Sequence, residues 1–298
     1  MEEASSSGAV KTGRAPRSDA DVRSAHVLCV ANQKGGVGKT TTAVSLAAAL
    51  AEAGLHVLLI DLDPQGNATT GLGLRVAQGE PSTYSVVVDG DPMSAAIART
   101  PIDGLDLCPS SLDLAGAEIE LVPAFSRELK LRQALEPVRS DHDLVIVDCP
   151  PTLGLLTVNA LVAADEVLLP IQCEYYALEG VGQLVQSIEL VQRSLNPALG
   201  VVGVVLTMFD GRTRLAEQVA AEVRSYFGPQ VFRTVIPRSV RLSEAPGFGQ
   251  PITVFDPTSR GALAYRRLAR ELGERLGLAA QPRSALDDLT DTRPEETA

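Results

Sequence analysis

The sequence predicts a three-layer α/β fold, a mostly parallel sheet with helices on both faces. Two observations predict it. Short continuous apolar runs alternate along the chain with longer segments of helical periodicity, the pattern of βαβ units. A glycine-rich turn, Lys34-Gly35-Gly36-Val37-Gly38-Lys39-Thr40-Thr41, joins the first such run to the first such helix. Strand, glycine loop and helix in that order are the context of a phosphate-binding loop.

The apolar runs lie at 26–31, 56–61, 105–108, 143–148, 166–171, 200–207 and 231–236. Each is short and apolar throughout, as strands buried on both faces are. Helical patterns occupy 39–53, 93–99, 126–138, 153–163, 178–194, 214–227 and 258–276. One ATPase-sized domain over 25–278 is expected. Residues 1–24 and 279–298 are rich in small and charged residues with no apolar period, and are expected to be disordered. Tryptophan is absent and aromatics make up 4% of the chain, so the core must come from Val, Leu, Ile and Ala.

Composition also narrows the function. No apolar run reaches the length of a membrane span, and the N-terminus lacks the basic-then-apolar pattern of a signal peptide. Cys29, Cys108, Cys149 and Cys173 show no metal-ligand spacing. A cytoplasmic location is expected. The net charge of −11 argues against a generic nucleic-acid coat or a binder of anionic membranes, but leaves room for a local basic patch.

In the glycine turn, Gly35, Gly36 and Gly38 let backbone N–H groups of the loop, Val37 included, face a polyphosphate. The helix start adds its partial positive charge. Lys39 reaches the β/γ-phosphates and the Thr40 hydroxyl suits Mg2+, so the chain is expected to bind a nucleoside triphosphate such as ATP. The usual first glycine of this motif is replaced by Gln33, and a second lysine, Lys34, follows it. Lys39 already serves the loop's own phosphates. Lys34 is therefore expected to reach a nucleotide held by a second copy of the chain, in a dimer with two nucleotides at its interface.

Ligands of such sheets bind outside the carboxyl ends of the strands. Asp61-Leu62-Asp63 ends one apolar run and Asp148-Cys149-Pro150-Pro151 another. Asp61 and Asp63 are two apart in extended chain and point the same way, so a metal shell and an attacking water suit them. Asp148 fits the Walker B pattern, in which a strand-ending carboxylate reaches Mg2+. These motifs complete a P-loop NTPase fold.

Together they resemble the deviant Walker A ATPases, specifically the ParA/Soj chromosome- and plasmid-partitioning family. The resemblance extends over about residues 25–275. It includes Gln172-Cys173-Glu174-Tyr175-Tyr176-Ala177-Leu178-Glu179-Gly180, Leu206-Thr207-Met208-Phe209-Asp210 and Ile236-Pro237-Arg238-Ser239-Val240-Arg241-Leu242-Ser243-Glu244-Ala245-Pro246. It implies an ATP-dependent sandwich dimer in which Lys34 contacts the other subunit's nucleotide. It also implies binding to double-stranded DNA without sequence preference, nucleoid association, and hydrolysis stimulated by a ParB-type centromere-binding protein. Asp63 would orient the attacking water, and Asp61 and Asp148 would support Mg2+. Lys39 and the loop from Gly35 to Thr41 would hold the phosphates. Met208, Pro237 and Arg238 would line the adenine, and Arg212 and Arg241 would contact DNA.

A membrane-cycling ATPase of the MinD type shares these motifs but needs a basic amphipathic C-terminus, whereas this one is acidic. A redox ATPase of the nitrogenase-reductase type needs exposed cysteines for a cluster, but beyond Cys149 after Asp148 no other cysteine here stands in such a motif. A GTPase or kinase would need a guanine-type Asn-Lys-x-Asp run or a kinase motif, and neither is present. The N-terminal extension is too short for an operator-binding domain.

Overall fold

The computed structural model describes residues 24–175, 177 and 179–278. The expected disordered ends, 1–24 and 279–298, fall outside the described residues except for Ser24. In chain order the elements are β1 (His26–Val30), α1 (Lys39–Glu52), β2 (Val57–Asp61), α2 (Asn67–Gly71), α3 (Met93–Ala96), β3 (Ala98–Arg99), β4 (Leu105–Cys108) and α4 (Leu114–Glu120). Then come α5 (Lys130–Leu135), β5 (Leu144–Asp148), α6 (Leu155–Ala163), β6 (Glu166–Gln172), α7 (Glu179–Ser194), β7 (Gly200–Phe209) and α8 (Arg214–Phe227). The last are β8 (Val231–Pro237), α9 (Val240–Glu244), α10 (Ile252–Phe255) and α11 (Arg260–Leu276).

One eight-stranded sheet runs in the order β3-β4-β2-β5-β1-β6-β7-β8. All its neighbours pair in parallel except β3 with β4. The expected three layers follow from alternation within the central strands. Val27 and Cys29 of β1, Leu58 and Ile60 of β2, and Val145 and Val147 of β5 face a core built with α4 to α8. Leu28 and Val30, Val57 and Leu59, and Leu144 and Ile146 face the opposite core with α1, α2 and α9 to α11. Burial on both faces removes the polar alternation that a one-sided sheet would show.

Helix boundaries follow local chemistry. α8 and α11 begin where the Thr213 and Ser259 side chains accept from Ala216 and Ala262 N–H. α11 ends at Gly277, which is left-handed at φ 63°.

Several sequence expectations need correction. The helix expected over 93–99 is a single turn, α3, followed by the edge strand β3. The helix expected over 126–138 is the short α5 flanked by 3-10 turns. α2, α4, α9, α10 and a π-helical turn at Ser85–Asp89 were not anticipated. These pieces are too short to display a helical period.

Among the described residues no helix is long and apolar enough to cross a membrane.

Candidate nucleotide site

The sheet order creates the site. From β1 the chain crosses to β2 and leaves between them the slot that β5 later fills, while β6 is placed on the other flank of β1. This reversal is the switch point at which such sheets bind ligands. The loop after β1 opens there, facing the carboxyl ends of β2 and β5.

The loop is held from within. Asn32 Nδ2 donates to the Pro170 carbonyl at 2.7 Å, and its Oδ1 accepts the Lys34 N–H at 3.0 Å. The Thr207 hydroxyl donates to the Val37 carbonyl at 2.8 Å, tying the loop to the end of β7. Gly36 and Gly38 are left-handed, at φ 74° and 86°, where a side chain would be strained. Gly35 is not left-handed, and a Cβ there would meet nothing within 4 Å. Its open face suits a backbone that a ligand approaches closely. Gly38 caps α1, which begins at Lys39 and carries Thr40 and Thr41 in its first turn.

Lys39 is buried, and its ammonium donates to the Lys34 carbonyl at 3.1 Å. Burial lowers its pKa, while Asp148 and Asp63 nearby work against that shift. Lys34 is half-buried, and among the described residues its ammonium has no partner.

The three sequence-predicted carboxylates converge here. Asp61 and Asp148 stand opposite each other in the β2–β5 register, and both are fully buried. Asp61 takes three protein donors. Its Oδ2 accepts from the Thr69 N–H at 2.8 Å and the Thr69 hydroxyl at 2.7 Å, and its Oδ1 accepts from the Asp63 N–H at 3.2 Å. Burial nevertheless pushes its carboxyl up to about 6, against those donors. Among the described residues neither Asp148 oxygen has a hydrogen bond of good geometry, and the nearby Thr40 hydroxyl and Lys39 offset its charge only in part. Burial first, and the like charge of Asp61 second, raise it well above the usual carboxylate range. Asp63 is also buried, with Oδ1 accepting the Gln65 N–H at 3.0 Å.

A buried carboxylate short of donors is costly unless a cation meets it. Asp148 beside the Thr40 hydroxyl therefore fits a divalent cation of the hard, oxygen-liganded kind. Asp61 fits less directly. Thr69 and Asp63 already supply three donors to its oxygens, so any support it gives a metal shell comes from behind Asp148. It orders the 61–69 loop and adds negative charge behind Asp148.

Sequence reasoning missed three residues that build this floor. Thr69 bridges Asp61 to the Ser110 N–H, which its hydroxyl accepts at 2.9 Å. The Ser110 hydroxyl holds the Asp63 carbonyl at 2.7 Å, and the Thr83 hydroxyl holds that of Asp61 at 2.9 Å. None sits in a motif. The only available signal was that Ser110 follows an apolar run at the binding edge of the sheet. Thr69→Val is expected to destabilise the protein by about 2–4 kcal/mol, because a buried carboxylate loses a donor and a buried N–H its acceptor. Chemical denaturation checks this, and a loss below 1 kcal/mol would show that the network is dispensable.

Met208 and Pro237–Arg238 are brought together at the ends of β7 and β8. Phe209 pairs with Pro237, and the Arg238 N–H donates to the Phe209 carbonyl at 3.0 Å. Met208 is one of two non-glycine residues with positive φ among the described residues, at 51°. Such strain gathers at ligand sites. Arg212 and Arg241 are exposed, in the segments that follow the same two strand ends.

Residues 25–201 match the AAA_31 family, described as an AAA domain. The sporulation initiation inhibitor protein Soj of Bacillus subtilis is 55% identical over 246 residues, covering 83% of this chain and 97% of that protein. This chain belongs to the Soj/ParA family. The chromosome partitioning protein ParA of Myxococcus xanthus is 50% identical over 268 residues, covering 90% of this chain and 94% of its own. Among solved structures, a Mycobacterium smegmatis protein named cobyrinic acid a,c-diamide synthase, with a bound ATP analogue and magnesium, is 41% identical with a TM-score of 0.76. It covers 87% of this chain and 98% of its own. The lysine-led loop and its paired aspartates are thus seated on a Soj/ParA chain.

Proposed function

We propose that residues 25–278 form a DNA-segregation ATPase that uses ATP and Mg2+. It converts ATP and water to ADP and phosphate, slowly when alone, and cycles between monomer and sandwich dimer. The observation that carries this reading is Asp148, fully buried beside Thr40 and Lys39 at the mouth of the phosphate loop and with no hydrogen bond of good geometry among the described residues. Thr40 and Asp148 would hold Mg2+, which when bound neutralises phosphate charge. The loop N–H groups and Lys39 bind and orient the β- and γ-phosphates. Asp63, with Oδ1 fixed by the Gln65 N–H, positions the attacking water. Met208, Pro237 and Arg238 line the base.

Dimerisation is supported by two features near the same edge of the sheet. The Lys34 ammonium has no partner among the described residues. Leu112, Ile119, Val122 and Phe125 are exposed on and around α4, with Phe125 at 93%. This stretch follows Ser110, which grips the Asp63 loop. So many large apolar side chains in one short segment mark an association surface. The dimer binds double-stranded DNA through phosphate contacts from Arg212 and Arg241, on the nucleoid of a cytoplasm. A ParB-type protein stimulates hydrolysis and returns monomers.

The test uses Asp63→Ala, which should bind ATP without hydrolysing it. With ATP it is expected to bind duplex DNA of arbitrary sequence, more weakly at higher salt, and not to bind with ADP. Anionic liposomes serve as a parallel target. Lipid binding without DNA binding would move the chain to the membrane-cycling class, and binding to neither would sink the segregation reading.

A further inference from the structure

The two arginines assigned to DNA already hold anions, and those anions belong to the chain itself. Arg212 Nε donates to Asp210 Oδ1 at 2.9 Å, and its Nη2 to Oδ2 at 2.8 Å. This is the two-pronged geometry in which a guanidinium grips a phosphate. The Arg212 N–H adds a third donor to Oδ1 at 3.1 Å. Arg241 is shared between Glu244 Oε2 at 3.1 Å and Asp256 Oδ2 at 3.3 Å, with its guanidinium 5.7 Å from the centre of the Phe255 ring. Arg238, between them in sequence, pairs with Glu174 Oε1 at 2.9 Å, and its charge also acts on Asp210.

Stability does not account for this arrangement. The Arg212 side chain is 88% exposed and that of Arg241 58%. Exposed ion pairs contribute about 0–1 kcal/mol to folding. The same weakness makes them easy to exchange, because a phosphate offers the fork equivalent oxygens and carries its own counterion release. Meanwhile each carboxylate cancels the charge of the arginine it holds and opposes an approaching phosphate.

We infer that Asp210 and Asp256 act as built-in competitors for DNA phosphate. They hold the Arg212 and Arg241 forks ready while setting the affinity of one subunit too low to bind alone. The DNA backbone displaces them, and two subunits acting together supply enough contacts to do so. The dependence of DNA binding on the dimer is thus written partly in these carboxylates. This inference rests on the proposal that Arg212 and Arg241 face DNA.

The test compares full-length wild type, Asp210→Asn, Asp256→Asn and the double variant with Glu222→Gln. The last removes an exposed charge on α8 that makes no ion pair among the described residues. Binding to an arbitrary duplex is measured with ATP and with ADP at two salt concentrations. Each Asp→Asn change is expected to tighten ATP-state binding roughly threefold to tenfold at low salt. The double variant is expected to bind with ADP as well, and Glu222→Gln to stay within about twofold of wild type. In an Arg212→Ala background, Asp210→Asn should give no gain. Gains equal to that of Glu222→Gln, or a gain that survives Arg212→Ala, would overturn the competitor role while leaving the function reading intact. Wild type binding without ATP as tightly as with it would also overturn the role. Absence of DNA binding by every protein would overturn the function reading and this inference together.

Discussion

Asp148→Asn is expected to make the metal-free protein more stable and the nucleotide-loaded protein inactive. Its carboxylate is fully buried, faces Asp61 across the β2–β5 register and, among the described residues, has the Thr40 hydroxyl nearby but no hydrogen bond of good geometry. Removing a buried carboxylate that Thr40 and Lys39 offset only in part, and that the like charge of Asp61 opposes, should gain about 1–3 kcal/mol. In a domain of this size that raises Tm by roughly 2–4 °C for each kcal/mol. The same change removes the group best placed to meet a cation. Mg2+ and ATP should then no longer raise Tm, and phosphate release should fall at least about hundredfold. Thermal melts with and without Mg2+ and ATP, alongside a phosphate-release assay, read both halves. A metal-free variant that melts below wild type would show that the carboxylate stabilises the fold, and the case for a cation here would fail.

Lys34→Ala is expected to separate nucleotide binding from dimerisation. The loop uses only the backbone of Lys34, whose N–H goes to Asn32 and whose carbonyl accepts from Lys39. Alanine keeps both. ATP affinity should therefore stay within about twofold, since among the described residues the removed ammonium makes no hydrogen bond or ion pair in its own subunit. The ATP-dependent dimer should be lost, with DNA binding lost in turn. Phe125→Asp should give the same pattern by a separate route, because it places a charge in the exposed apolar stretch around α4. Sedimentation with a slowly hydrolysed ATP analogue measures the dimer. A stable ATP dimer from Lys34→Ala would end the account of Lys34 as a residue that acts on the other subunit's nucleotide.

The phosphate loop was legible in the sequence because its requirements are local. Gly36 and Gly38 stand where the backbone turns left-handed, and Lys39 and Thr40 occupy the first turn of the helix that follows. The central strands were legible because burial on both faces leaves uninterrupted apolar runs, as in β2 and β5. The segment from Ser85 to Arg99 was not, since a π turn, one α turn and a two-residue edge strand each fall below the length at which periodicity appears.

By itself the sequence determined which chemistry is present: a glycine cradle, two lysines and three carboxylates at strand ends. Tertiary structure decided how those carboxylates differ. Register across 87 positions of chain sets Asp148 against Asp61. The arrival of Thr69 gives Asp61 its donors, whereas Asp148 has the Thr40 hydroxyl and Lys39 nearby but no geometric hydrogen bond among the described residues. In the same way, the folding of α9 and α10 places Asp256 against Arg241. Residue type and local spacing carry no information about these meetings, because they depend on which distant segments the sheet and its covering helices bring within a few ångströms.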